Sequence, residues 1–434
     1  MAATLTTNNP TEDAPIPDVE GHEKHARLAV IGGIISTFWT GALLFGYPGL
    51  MRPVWAERFH ANPSELSWIM TFVVLSLGVS TFVAGKMHMR LGTRKSYLIG
   101  TAMLVVCMVL VIKANSVYVL YLWGFLNGFA SSFFYSPSLT TVQHWYPHRR
   151  GLVTGLVNLM FGLSAAIMSP IFKIMFDSMG YEKMGWVLVV LIVITNAIAA
   201  AIAEMPNRAN LTPAQLAAHE QLLANTKKNH ANAPADDVEP SKAVRTSEFW
   251  FMWLTWSFMG AAGIAMVTLS TSYGGHLSEI GFAASGIAML TAFNLTNGFS
   301  RILAGALSDI IGGNVLGSIS FALAAVGYFL LPTQTNPIVL CVLTALVGFA
   351  FGTLFAITAP LGTDLFGLKN FPIIFGYIFT AYGFVGGLIG PLLSDFVLEK
   401  SGGSYGTVFG YLGVFCVLAA VFIMLAKPKS KVSK

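Results

Sequence analysis

The stretches "GKMHMRLGTRKS" (residues 85–96) and "GALSDIIGGNVLG" (residues 305–317) are two versions of one pattern. Each follows an apolar run, begins with a glycine and has a second glycine seven residues later. One version lies after the second apolar run of the chain, and the other lies after the eighth. Matching stretches at matching places in two series of runs indicate an internal repeat. The fold is therefore predicted to consist of two similar halves.

The composition is that of a membrane protein. Of the 434 residues, 55% are hydrophobic and only 10% are charged, whereas soluble domains carry about 25% charged residues. A helix needs about 20 mostly apolar residues to cross a bilayer. Backbone groups in lipid must be bonded within the segment, so uninterrupted apolar runs predict helices. Twelve such runs are present, at about residues 28–50, 66–86, 97–113, 117–143, 151–176, 184–203, 248–273, 284–308, 314–331, 336–363, 371–397 and 405–426.

One long hydrophilic stretch, residues 204–247, divides these runs into six and six. It is rich in Asn, Ala, Pro and charged residues and has no aromatic residue, a composition typical of disordered segments. We therefore predict an all-α membrane protein with twelve transmembrane helices in two pseudo-symmetric six-helix bundles. Its predicted parts are an N-terminal tail (1–27), the first bundle (28–203), a linker loop (204–247), the second bundle (248–426) and a C-terminal tail (427–434).

The distribution of basic residues predicts the orientation in the membrane. Eighteen of the 25 Lys and Arg lie in the two tails, the linker and the loops on the same side, whereas six lie on the other side. Cytoplasmic loops carry the excess of basic residues, so both termini are expected in the cytoplasm of a multi-pass protein of the cell (inner) membrane. The polar N-terminal tail is unlike a cleavable signal peptide, so we expect the first helix to be retained. The net charge of +5 reflects this topology and gives no indication of nucleic-acid binding.

The sequence offers no carrier for enzymic chemistry. It contains no P-loop, dinucleotide fingerprint, Ser-His-Asp spacing or His/Cys metal set. The three cysteines, Cys107, Cys341 and Cys416, fall inside apolar runs, where they are expected to be small packing residues. We therefore expect no enzyme activity, no cofactor and no bound metal. Any transport must then be driven by a gradient across the bilayer.

With its paired motif and twelve runs, the chain resembles the major facilitator superfamily. The second copy of the motif matches that family at Gly305, Asp309 and Gly312. The first copy has His88 or Met89 where the usual pattern has an aspartate, a departure that weakens a latch between the halves. The resemblance implies alternating access, with substrate bound between the two repeats near the midplane of the membrane.

Two longer stretches carry a closer resemblance. The segments "FFYSPSLTTVQHWYPHRRGLVTGLVNLMFGLSAAIMSP" (133–170) and "LFAITAPLGTDLFGLKNFPIIFGYIFTAYGFVGGLIGP" (354–391) are similar to the oxalate/formate antiporter family. Members of that family look like the eukaryotic monocarboxylate transporters. The likeness covers nearly all of the membrane part, and it is specific to the family rather than to a substrate.

Arg301 lies inside the eighth apolar run, where a charge costs at least about 2.5–3.5 kcal/mol. Two structural explanations are that its side chain snorkels to the interface or that it pairs with Asp309. The functional explanation is that the guanidinium binds a carboxylate in the central cavity, because its fork matches two carboxylate oxygens. The resemblance favours this explanation, since an arginine in the eighth helix binds the anion in these transporters.

Three further residues are candidates for contact with substrate. Asn297 lies one helical turn before Arg301 and on the same face, where proton-coupled monocarboxylate transporters have an acid. Tyr382 aligns with the lysine of the eleventh helix that gives oxalate exchangers their second cation. Tyr135, in "FFYSPS", matches the family's aromatic residue in the N-terminal half. Interhelical packing is the alternative role for each of the three.

These observations predict a secondary transporter of small organic anions. With one buried cation, Coulomb balance favours one negative charge over two, so monocarboxylates such as lactate, pyruvate, formate, acetate or glyoxylate fit best. Either a proton or a counter-anion is the coupling partner, which makes the cycle symport or exchange. The alternatives are an oxalate/formate antiporter and, more remotely, a carboxylate sensor without transport.

Overall fold

The computed structural model describes residues 22–206, 211–229, 236–282 and 286–427. Within these ranges the structure has twelve long helices, which we number α1 to α12 in chain order, so the predicted all-α fold is confirmed. Their bounds are His22–Phe59 for α1, 63–91 for α2, 93–112 for α3, Val117–Trp145 for α4, 150–179 for α5, 181–202 for α6, Ser247–Glu279 for α7, Gly286–Ile311 for α8, Gly313–Leu330 for α9, Pro337–Phe366 for α10, Phe371–Lys400 for α11 and Tyr405–Leu425 for α12.

Two glycines separate helices that otherwise run on without a loop. Gly92 and Gly180 each have φ 79° and ψ 175°, a conformation that residues with a Cβ rarely adopt. The first lies between α2 and α3, and the second lies between α5 and α6. The equivalent glycine of the second motif, Gly312, has φ 86° between α8 and α9. The repeat seen in the sequence is therefore also a repeat of backbone geometry.

Helices α1–α6 form one half of the molecule and α7–α12 form the other. We call the end of the molecule that carries residues 203–247 the linker side. The halves meet along two pairs of helices, α5 with α8 and α2 with α11. Glycines set the spacing, because a Cβ at Gly305 would lie 2.3 Å from the carbonyl oxygen of Gly151, and one at Gly85 would lie 2.2 Å from that of Pro372. Both contacts depend on the backbones approaching this closely.

The stretch between α6 and α7 is more ordered than its composition predicts. Residues Pro213–Asn229 form a helix, so the prediction of a disordered linker is wrong for this segment. One face of this linker helix is buried through Ala218, His219 and Leu222. His219 contacts His22 at the start of α1, with 3.3 Å between their ring nitrogens. Burial, together with His22 and His144, lowers the pKa of His219 to about 4, so its ring is neutral near pH 7.

The far end of the linker packs on the other half. The backbone N–H of Val238 donates to the carbonyl of Phe366 at 2.9 Å, and the backbone N–H of Lys369 donates to the carboxylate of Asp237 at 2.9 Å. The linker helix packs on the first half through His219, and residues 237–238 pack on the second. The tails 1–21 and 428–434 lie outside the described residues, as do parts of the linker.

Candidate functional site

Arg301 lies at the contact between α8 and α5, with only 2% of the residue exposed. Its guanidinium carbon is 4.4 Å from the ring centroid of Phe355 and 5.4 Å from that of Phe161. The side chain therefore points across the molecule toward the first half and not along α8 toward the membrane surface. The snorkelling explanation considered for Arg301 is wrong.

The polar contacts of Arg301 are all to neutral groups. Its Nη1 donates to the backbone carbonyl of Asn158 at 3.0 Å. Its Nε and Nη2 both point to the Oδ1 of Asn297, at 3.4 and 3.3 Å. No carboxylate among the described residues lies within ion-pair distance of the guanidinium. Asp309 instead accepts hydrogen bonds from the backbone N–H groups of Gly151 and Leu152 at 2.8 and 2.9 Å.

Asn158, on α5, is a site residue that the sequence reasoning missed. Its Oδ1 accepts a hydrogen bond from the hydroxyl of Tyr135 at 2.9 Å, and its Nδ2 donates to the carbonyl of Phe355 at 3.2 Å. The backbone carbonyl of Asn158 also accepts a hydrogen bond from Arg301. Asn158 is therefore hydrogen-bonded to residues of both halves. The available signal was weak: Asn158 is the one amide residue in the apolar run 151–176.

The two predicted tyrosines lie in one aromatic cluster beside Arg301. The ring of Tyr135 is 5.1 Å from Phe161 and 5.6 Å from Phe379, and Tyr382 is 5.1 Å from the same Phe379. Tyr382 also lies 5.5 Å from Phe355. The four residues predicted from the sequence are thus brought together, Arg301 and Asn297 directly and the tyrosines through shared neighbours.

Tyr382 is the first residue of a segment of α11 that is not α-helical. Residues Tyr382–Ile389 form a π-helix, a conformation that is frequent at functional sites. Within the part of the chain that the structure describes, the Tyr382 hydroxyl has no hydrogen-bonding partner, although the residue is only 2% exposed. Its proton and its lone pairs are both free to serve a ligand.

The linker side of this site is closed by contacts between the halves. Arg150, at the start of α5, forms an ion pair with Asp364 near the end of α10. Arg150 also donates to the hydroxyl of Thr363, which in turn donates to Gln143 at 3.1 Å. The side chains of Arg150 and Asp364 are only 4% and 10% exposed, so breaking this pair without separating the halves would leave buried charges uncompensated.

The family model of the Major Facilitator Superfamily matches residues 29–289 and 259–434. The oxalate:formate antiporter of Oxalobacter formigenes is 26% identical over 318 residues, which cover 71% of each chain. Human monocarboxylate transporter 2 is 23% identical over 392 residues, which cover 85% of this chain and 78% of the relative.

Solved structures share the fold at lower sequence identity. The Escherichia coli fucose:proton symporter FucP matches with a TM-score of 0.63 and 12% identity, covering 94% of this chain and 99% of that chain. The proton:xylose symporter XylE matches with a TM-score of 0.65 and 14% identity, covering 92% and 94%. With the family model matched across both halves, this chain belongs to the Major Facilitator Superfamily and is a secondary transporter in the membrane, not an enzyme.

Proposed function

We propose that this protein carries small monocarboxylates across the membrane by alternating access, with Arg301 as the group that binds the carboxylate. The observation that carries the proposal is a buried guanidinium, at the contact between the halves, whose partners among the described residues are all neutral. A buried charge without a counter-ion is costly. An anionic substrate supplies that counter-ion.

The contacts of Arg301 support binding through both arms of the guanidinium. Its carbonyl and amide partners, Asn158 and Asn297, are weaker acceptors than a carboxylate, because charge-assisted hydrogen bonds are about twice as strong as neutral ones. A substrate carboxylate can displace them and accept two parallel bonds. Phe161 and Phe355 flank the guanidinium and exclude water from that pair.

The charge of the site supports a monoanion. The resemblance to the oxalate/formate antiporter family implies that Tyr382 replaces the lysine of the oxalate exchangers, and its ring neighbours Trp256, Phe355 and Phe379 are uncharged. With Arg301 alone, a bound monocarboxylate leaves the site neutral, whereas oxalate leaves one negative charge without a partner. Lactate, pyruvate, formate, acetate and glyoxylate are the substrates that satisfy this balance.

The likeness to the oxalate:formate antiporter favours one alternative, an oxalate/formate exchanger whose second cation comes from elsewhere. Substituting Tyr382→Lys distinguishes the two proposals. If the wild-type site carries one cation, the substitution should raise the affinity for oxalate relative to lactate, because the dianion then meets two charges. Competition of oxalate against labelled lactate in both proteins measures that ratio, and an unchanged ratio in a folded variant means that Tyr382 points elsewhere and that the choice of a monocarboxylate over oxalate loses its main support.

Transport itself is tested in proteoliposomes with a panel of labelled monocarboxylates and oxalate. We expect saturable uptake of at least one monocarboxylate, and binding without flux would instead support a carboxylate sensor. The coupling is measured in the same assay. An exchanger stalls when the opposite side contains no anion, whereas a proton symporter continues for as long as a pH gradient is present.

We further propose that both termini and the linker lie in the cytoplasm of a cell (inner) membrane, with 28–203 and 248–426 as the two moving bundles. The excess of basic residues on the linker side supports this orientation. Ala224 lies exposed on the linker helix, so Ala224→Cys should react with a membrane-impermeant thiol reagent only after permeabilisation. Labelling in intact cells would reverse the orientation.

A further inference from the structure

The hydrogen bonds of Asn158 fix the orientation of its side-chain amide. The carbonyl of Phe355 can only accept a hydrogen bond, so the group that points to it at 3.2 Å must be the NH2 of Asn158. The other end of the amide, Oδ1, therefore faces the hydroxyl of Tyr135 at 2.9 Å. The backbone carbonyl of Phe355 thus decides which end of Asn158 meets Tyr135.

This orientation also fixes the role of Tyr135. Since the Oδ1 of Asn158 can only accept, the Tyr135 hydroxyl must donate its single proton to it. The phenolic oxygen retains its lone pairs, so toward a ligand Tyr135 is an acceptor. Tyr382 differs, because among the described residues its hydroxyl has no partner and can either donate or accept.

Tyr135 and Arg301 are close enough to act on one small molecule. Both bind Asn158, Tyr135 through the side-chain Oδ1 and Arg301 through the backbone carbonyl. Both also pack on Phe161, the Tyr135 ring at 5.1 Å and the guanidinium at 5.4 Å. In a carboxylic acid, the substituent on the second carbon lies next to the carboxylate, so with the carboxylate on Arg301 that substituent can reach Tyr135.

We propose that this site selects 2-hydroxy monocarboxylates over the corresponding 2-oxo acids, through the acceptor lone pairs of Tyr135. The inference rests on the proposed function, because it assumes that Arg301 binds the carboxylate. A 2-hydroxyl group donates a hydrogen bond to the Tyr135 oxygen. A 2-oxo group presents a second acceptor to that oxygen, and no hydrogen bond can form between them while the Tyr135 O–H is donated to Asn158.

Two pairs of acids test the selectivity with charge and carbon number held constant, lactate against pyruvate and 2-hydroxybutyrate against 2-oxobutyrate. Each acid competes with labelled lactate for the purified wild-type protein. We expect each hydroxy acid to bind about threefold to tenfold more tightly than its 2-oxo partner, the range of one neutral hydrogen bond. Equal or reversed affinities in both pairs overturn the inference.

Three variants test whether the selectivity comes from the Tyr135 hydroxyl. Tyr135→Phe removes the acceptor and should bring each pair of affinities together, chiefly by weakening the hydroxy acid. Asn158→Ala should also reduce the ratio, because the Tyr135 O–H then has no acceptor in Asn158 and can donate to a 2-oxo group. Tyr382→Phe is the matched control: whatever its effect on overall affinity, it should keep the ratio of the wild-type protein.

The outcomes separate this inference from the proposed function. If the wild-type protein binds monocarboxylates without distinguishing the pairs, or if Tyr135→Phe keeps the full ratio, the assignment to Tyr135 is wrong and the transport proposal stands. If no monocarboxylate competes or is taken up, both proposals fail. A merely structural Tyr135 would lower the affinities for both members of a pair alike and leave their ratio unchanged.

Discussion

The contact of α5 with α8 and the contact of α2 with α11 are two copies of one arrangement, but among the described residues only the first has hydrogen bonds between the halves. In each, a glycine of one half lies against the backbone of the other, Gly305 on Gly151 and Gly85 on Pro372. The glycine spacing is the part that both copies share. It is therefore what the packing of the two halves requires.

The polar residues are the part that the copies do not share. Aligning Gly85 with Gly305 and Gly155 with Gly376 gives an equivalent position in the other half to each of four polar residues of the α5–α8 contact. In the other contact, Thr81 stands in place of Arg301, Leu77 in place of Asn297, Phe379 in place of Asn158 and Met89 in place of Asp309. The second contact packs without these four residues, so packing does not require them, and we assign them to the substrate and to closure of the linker side.

The largest expected effect comes from removing the charge of that contact. Arg301→Ala should weaken monocarboxylate binding by about 30-fold or more, because losing one partner of a buried charged pair costs about 2–5 kcal/mol. Arg301→Lys keeps the charge but loses the fork, and should also lose most of the binding. Affinity of the purified proteins for labelled lactate measures both.

The matched control for Arg301 is the equivalent position in the other contact. Thr81 is fully buried, and its hydroxyl bonds the carbonyl of Leu77 within its own helix at 2.6 Å. Thr81→Ala should therefore leave substrate affinity unchanged. Near-normal transport by Arg301→Ala, or an equal loss in both variants, would show that the difference between the two contacts does not arise from substrate binding.

The second prediction concerns the close approach of a glycine to the backbone of the other half, which both contacts share. Gly85→Ala and Gly305→Ala should each disfavour closure of the linker side by about 1–3 kcal/mol, because the new Cβ meets backbone that cannot rotate away. Spin labels at Lys95 and Lys369, which are exposed on the two halves, report the closed population by their distance. The expected change is a larger separated population in both variants.

Gly410→Ala serves as the control for these substitutions. Gly410 lies on α12, and an added Cβ there would have no atom within 4 Å, so the label distances should match those of the wild type. A shift in only one of Gly85→Ala and Gly305→Ala would show that the two contacts do not close together. The two contacts would then differ in packing as well as in polarity.

The fold and Arg301 were predictable from the sequence, whereas Asn158 and the linker helix were not. The fold was predictable because apolar runs and paired glycines are local patterns, and Arg301 stood out because a charge in an apolar run is costly. Asn158 did not stand out, since a neutral amide in a helix gains its role only from which partners it meets across the halves. The linker helix was missed for a similar reason, because its buried face is stabilised by packing against α1 and α4.

The smallest expected effect concerns the carboxylate that closes the linker side. Asp309 accepts from the backbone N–H groups of Gly151 and Leu152 at the start of α5, where the helix dipole also favours a negative charge. Asp309→Asn should weaken closure by about 0.3–1 kcal/mol, the usual size of such an interaction. The same label pair should show a separated population that is larger than in the wild type, but smaller than in Gly305→Ala.

The reverse substitution shows whether the missing acid alone separates the two contacts. Met89 takes the place of Asp309, and Pro372, which has no N–H, takes the place of Gly151. An aspartate at position 89 would thus find one donor fewer at the start of α11, so Met89→Asp alone should stabilise closure by less than Asp309 does. Adding Pro372→Gly restores the donor, and the closed population should then rise above that of Met89→Asp. If the single substitution already gives the full gain, the acid alone distinguishes the two contacts; if the double variant gains nothing over the wild type, closure at α11 does not depend on a carboxylate at all.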